Sequence, residues 1–177
     1  SMQHNLAWSQ PISGGGWSSP VVVGGRVFVT TAVDSNNTKP LNHAGGVRNM
    51  RGKKASEPFN FKLICIVLKD GSIEWETNIA VERPKFPIHP SNTYATESPV
   101  TNGKHVFCYF AAIGKVVAVD MSGKVVWTTD VGAFPGGNGF GTGSSLKLGG
   151  ISRGFFFSTK NSSLFSCFLP VNPSFRV

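Results

Sequence analysis

"SSPVVVGGRVF", Ser18–Phe28, returns as "ESPVTNGKHVF", Glu97–Phe107, with the same Ser-Pro-Val opening, glycine turn and Val-Phe close. Aligned on the serine before the proline, the offset is 98 − 19 = 79 residues. In the first stretch Gly24-Gly25 divides two β-rich runs, Ser18–Val23 and Arg26–Ala32, and in the second Asn102-Gly103 stands at the same place. Both dipeptides supply the positive φ angles of a tight hairpin, and Asn-Gly between apolar runs is the strongest short hairpin signal. A hairpin that recurs in register marks an internal repeat.

A second hairpin follows each first one. Lys62–Lys69 and Ser72–Ile79 flank Asp70-Gly71, while Lys115–Asp120 and Lys124–Val131 flank Ser122-Gly123. Each last run carries a tryptophan four residues beyond its glycine, Trp75 after Gly71 and Trp127 after Gly123. The unit is four short antiparallel strands, with Pro20 and Pro99 at its start and G-x-x-x-W at its end. Runs such as "LICIVL" are apolar nearly throughout, so both sheet faces are expected to be covered. Four-stranded sheets covered on both faces stack radially in a β-propeller, with about 40 to 50 residues per blade. From Ser98 to Ser145, where "GTGSSL" echoes "GGWSSP", the step is 145 − 98 = 47 residues.

The expected architecture is all-β, a partial propeller over residues 5–145. Blade 1 occupies about 17–79 with an insert at 34–60, and blade 2 about 97–131. "NLAWSQPI", Asn5–Ile12, looks like an isolated outer strand with Trp8 in the role of Trp75 and Trp127. Residues 146–177 read as a degenerate third blade, because Leu146 stands where proline is expected and six of the fourteen phenylalanines crowd the final part. That tail is expected to depart from the ancestral reading frame or to be a truncated end. The insert, rich in Asn, Gly, Lys and Pro, has no period of either kind and reads as a surface excursion.

Composition agrees with a turn-rich β chain: 21 glycines, 11 prolines and 15% charged residues. Lys and Arg exceed Asp and Glu by 17 to 9, and "RNMRGKK", Arg48–Lys54, concentrates the surplus. That cluster lies outside any strand pattern and has no interleaved aromatics, so a solvated loop is favoured over nucleic-acid binding, which would be steeply salt-dependent. Cys65, Cys108 and Cys167 form no C-x-x-C pair, and the first two sit in apolar runs as small hydrophobes. No stretch approaches the roughly 20 apolar residues of a spanning helix, and no leader is visible in the opening residues.

The ordered motifs "GWSSPVVVGGRVFVTTA", "HPSNTYATESPVTNGKHVF" and "GFGTGSS" resemble the pyrroloquinoline-quinone-like (PQQ-like) β-propeller repeat. More specifically, they resemble bacterial, commonly exported, PQQ-binding-like propeller proteins. This resemblance covers about residues 5–145 and implies a ring of about seven or eight blades with a periplasmic or other extracytoplasmic location. Quinoprotein dehydrogenases of the wider group use PQQ beside adjacent, disulfide-linked cysteines, with calcium held by carboxylate and amide oxygens. Here no cysteines are adjacent, and the nine acids show no loop-like cluster for an ion that takes six to eight oxygens. No cofactor, metal or catalytic set is therefore expected, and PQQ with calcium belongs only to an alternative oxidoreductase reading.

The expected function is a binding or scaffold module for a protein, glycan or small molecule. The most polar connection, "IHPSNTYATES", Ile88–Ser98, makes His89, Asn92 and Glu97 the candidate ligand-binding residues if it reaches the mouth of the central channel. His and Glu together have acid and base capacity, although Asn92, Thr93 and Ser98 equally suit bonding the backbone of a long turn. "GGNGFGTGSS", Gly136–Ser145, lacks the Lys-Ser/Thr ending of a phosphate loop and reads as a blade connection. Two blades leave strand edges and apolar faces open, which favours self-association of the isolated chain.

Overall fold

The structure, a computed structural model, describes residues 6–34, 54–89, 92–135, 141–143 and 145–148, and the backbone of 155–158 and 165–167. Most of the insert, all of the basic cluster except Lys54, and Pro90, Ser91 and Gly136–Phe140 lie outside the described residues. So do Asn5 and the side chains of the tail beyond Leu148.

No helix occurs among the described residues, and the two predicted four-stranded sheets form. In the first, β1 (Val21–Val23), β2 (Arg26–Asp34), β3 (Phe59–Val67) and β4 (Ile73–Glu82) pair in sequence order, antiparallel throughout. In the second, β5 (Val100–Thr101), β6 (His105–Phe110), β7 (Lys115–Asp120) and β8 (Val125–Asp130) repeat that order. A third sheet contains β9 (Ser145–Leu148), β10 (Phe155–Ser158) and β11 (Phe165–Cys167), again antiparallel neighbours. β9 packs beside β5 and β6, where the next sheet of a stack belongs.

The repeat is exact at the level of pairing partners. One row across the first sheet reads Val21, Phe28, Cys65, Trp75, and the matching row across the second reads Val100, Phe107, Ala118, Trp127. Both outer strands bulge just before their tryptophan, at Glu74 and at Val126, which have no partner in the register. A bulge adds twist and re-aims the following side chain. Here it sets each indole against a phenylalanine of its own sheet, Trp75 with centroids 5.8 Å from Phe28 and Trp127 6.0 Å from Phe107.

Strands β2 and β3 pair from Arg26↔Val67 out to Asp34↔Phe59, so the strand pattern extends into both ends of the expected insert. Asp34 and Asn60 are poor strand formers by themselves, but a long paired partner outweighs that preference.

Alternation decides which face meets which sheet. Phe28, Phe61, Leu63 and Cys65 of the first sheet are buried against Val106, Cys108, Phe110, Val117 and Val119 of the second. Phe61 and Phe110 meet edge-on across this seam, centroids 5.2 Å apart at 62°, and both are fully buried. The opposite face of the second sheet, Phe107, Tyr109, Val116 and Ala118, packs with Leu146 of β9. On the opposite face of the first sheet, Val27, Ile64 and Ile66 pack with Trp8 and Ile73.

Trp75 and Trp8 each reach the turn of the sheet that follows. A Cβ placed on Gly123 would stand 2.8 Å from Trp75 Cδ2, and Trp75 Nε1 donates to Met121 O at 3.2 Å. One repeat earlier, a Cβ on Gly71 would stand 2.5 Å from Trp8 Cε3, and Trp8 Nε1 donates to Leu68 O at 2.8 Å. Residues 6–12 have no ladder pairing among the described residues, yet Trp8 holds the indole position expected of a preceding outer strand.

Candidate functional site

The polar junction at one end of the stack is built from three connections. Asn92 organises the segment leading to β5: its amide donates to His89 O at 2.8 Å, and its Oδ1 accepts from Thr93 N at 2.8 Å. Thr96 Oγ1 lies 2.9 Å from both Asn92 Oδ1 and Thr93 O, and its single proton serves one at a time. Tyr94 anchors the same segment to the first sheet, its ring edge-on to Phe59 with centroids 4.9 Å apart.

The lead into β1 lies alongside. Trp17 N donates to Ala95 O at 2.9 Å, and Ser19 N donates to Ser98 Oγ at 2.8 Å, joining repeat-equivalent serines of adjacent blades. Gly16 has no room for a side chain, because its Cβ would fall on Thr30 O. From β2, the buried Thr30 Oγ1 donates to Glu97 O at 3.3 Å. Trp17 is 56% exposed at this end.

Glu97 is the central group of the junction and is only 2% exposed. Thr142 Oγ1, from the β8–β9 connection, donates to Glu97 Oε1, and amides of Glu97, Thr96 and Ala111 also favour its ionised form. Burial outweighs these donors and pushes the carboxyl up to about 7. In the preceding blade Ser18 holds the equivalent place, and its Oγ accepts from Thr30 N at 3.4 Å.

Of the three candidate residues, Asn92 and Glu97 are brought together through Gly141-Thr142: a Cβ on Gly141 would come 2.7 Å from Asn92 Nδ2, while Thr142 bonds Glu97. His89 is half-buried at the start of the segment, where its carbonyl caps the Asn92 turn. Thr142 and Thr30 were not singled out by the sequence pattern. Repeat register supplies a signal for Thr142, since 142 − 47 = 95 makes it the counterpart of Ala95, which ties the previous pair of blades.

The repeat residues fall into structural places. Gly71 and Gly123 have φ of 77° and 89° and carry the indoles of the preceding unit. Pro99 is buried between sheets, whereas its counterpart Pro20 is exposed. Beside these turns the Asp70 and Asp120 carboxylates each accept from a serine two residues on, with Oδ1 2.9 Å from the amide and 2.6 Å from the hydroxyl in both cases. Those bonds hold both carboxyls below the usual range.

Among the described residues no group of three or more His, Cys, Asp or Glu is placed to hold a metal ion. Cys65 and Cys108 are free and fully buried on different sheets. Burial pushes the Cys65 thiol up to about 12 and raises that of Cys108 as well, so both behave as small core hydrophobes.

A family model described as outer membrane protein assembly factor BamB, of the PQQ-like repeat type, matches residues 3–146, more than half of the chain. No curated protein matches it.

Proposed function

The chain belongs to the PQQ-like β-propeller repeat family, and on that premise we propose that it works as a binding and scaffold module rather than as a quinone-dependent oxidoreductase. The observation that carries this reading is the use to which the junction puts its polar groups. Asn92 Oδ1 is occupied by Thr93 and Thr96, and the Glu97 carboxyl by Thr142 and backbone amides, all within the protein. Trp17, 56% exposed at the same end, is a large amphipathic residue of the kind enriched where proteins bind one another.

The description of the matched family as an outer membrane protein assembly factor supports a protein partner and an extracytoplasmic setting. His89, half-buried at the same end, completes the proposed contact surface with Trp17. No helix among the described residues is long and apolar enough to cross a membrane.

Titration of the protein with PQQ and Ca²⁺ together, followed by absorbance and by thermal shift, separates the two functions. The expected result is no saturable spectral change and no rise in melting temperature. Saturable tight binding accompanied by stabilisation overturns the proposal in favour of the oxidoreductase.

A further inference from the structure

We propose that Glu97 is a proton-operated latch: with its carboxyl neutral it holds the Gly141–Gly143 segment against the second sheet, and on ionising it lets that segment and β9 loosen. The geometry brings two connections to the carboxyl and a strand to the backbone of the same residue. Thr142 reaches it from the β8–β9 connection, Ala111 from the β6–β7 turn, and Thr30 of β2 holds its backbone carbonyl. Gly141 is pressed so closely onto Asn92 and Ile88 that a Cβ there would lie 2.7 Å and 2.9 Å from them. The segment therefore docks on the two residues Asn92 and Glu97, and β9 begins two residues after it, with Leu146 covering the apolar face of Phe107, Tyr109, Val116 and Ala118.

The partners of the carboxyl are hydroxyls and amides, and none of the ion pairs among the described residues includes Glu97. In the same segment stand His89 and Tyr94, the latter raised by burial and therefore neutral near pH 7. A carboxylate formed in this buried site has no counter-ion among the described residues, so its desolvation cost is relieved by moving toward water. Ionisation thus weakens the hold of the segment even though hydroxyl and amide donors face the charge.

The sign follows from the raised value. A carboxyl at about 7 when docked, against an ordinary 4.5 when released, binds more protons in the docked state between those limits. Docking is therefore strongest near and below pH 4.5, weakens as pH rises toward 7, and is level above it. The opening equilibrium of the segment is expected to be on the order of 30-fold larger at pH 7 than at pH 5.

Hydrogen exchange across Ser145–Leu148, corrected for intrinsic rates, reads that equilibrium in the intact chain. Wild type is expected to lose protection between pH 5 and pH 7, while Glu97→Gln, neutral at every pH, shows a flat profile. Since histidines as a class respond in this range, His89→Gln is the control and keeps the wild-type profile. Thr142→Val, which removes a donor favouring the carboxylate, keeps the pH response with its midpoint moved upward, and it serves if Glu97→Gln fails to fold. A flat wild-type profile, a Glu97→Gln profile that still falls, or loss of the response in His89→Gln overturns the latch.

Discussion

Phe110→Ala is expected to destabilise the protein by about 3–5 kcal/mol and to lower its melting temperature by roughly 6–20 °C. Phe110 is fully buried on β6 and meets Phe61 of β3 edge-on at 5.2 Å, so its ring belongs to the seam between sheets rather than to one of them. Truncation removes the transfer free energy of an aromatic ring and leaves a cavity that two rigid sheets close only in part. Leu63, Cys65, Val106 and Cys108 line the same cluster and lose contacts on both sides. Phe110→Leu, which keeps most of the volume, is expected to cost clearly less. Thermal and urea melts check both variants, and a loss below about 1 kcal/mol for Phe110→Ala contradicts a packed seam.

The second large effect lies where an indole meets a glycine. Gly123→Ala meets two obstacles: a left-handed φ of 89°, and a Cβ 2.8 Å from the Trp75 ring. Gly103→Ala shares the first, with φ of 85°, but has nothing within 4 Å of its Cβ. Gly103→Ala is therefore expected to cost about 1 kcal/mol from the backbone alone. Gly123→Ala costs about 2–4 kcal/mol, because overpacking is added. In a Trp75→Ala background, itself destabilised by about 3 kcal/mol, the added cost of Gly123→Ala falls back to that of Gly103→Ala. Urea denaturation of the four variants checks the cycle, and equal costs for the two glycine substitutions in the wild-type background contradict the docking of Trp75 on the next blade.

Strand pairing was legible because it is local. Gly24-Gly25, Asn102-Gly103 and the G-x-x-x-W endings at Trp75 and Trp127 fix turns and strands within a few residues, and repetition fixed the register between copies. What each indole touches was less legible, since Trp75 packs on Gly123 of the following sheet, 48 residues on by 123 − 75. That contact appears only when one repeat is laid against the next.

Identical letters also acquire different surroundings. Pro99 is buried and Pro20 exposed because β9 and β1 flank β5, while among the described residues β1 has such a neighbour on one side only. Of the candidate site, Asn92 was legible as a turn former, and the burial of Glu97 was not. Acidic residues are rarely enclosed, and the hydroxyl that accompanies this one comes from Thr142, in a glycine-rich connection with no strand pattern of its own. The paired Asp70–Ser72 and Asp120–Ser122 turns were half legible: both aspartates mark turns, but the shared bond to a serine two residues on is offset relative to Gly71 and Gly123.

The central claim is that the two four-stranded sheets are successive blades stacked face to face. Nuclear Overhauser contacts in the intact, isotopically labelled chain test it most directly. The account predicts cross-peaks between the Phe61 and Phe110 rings, and between the Trp75 indole ring and the Gly123 α-protons. Strong contacts within each sheet with none at either pair would contradict it.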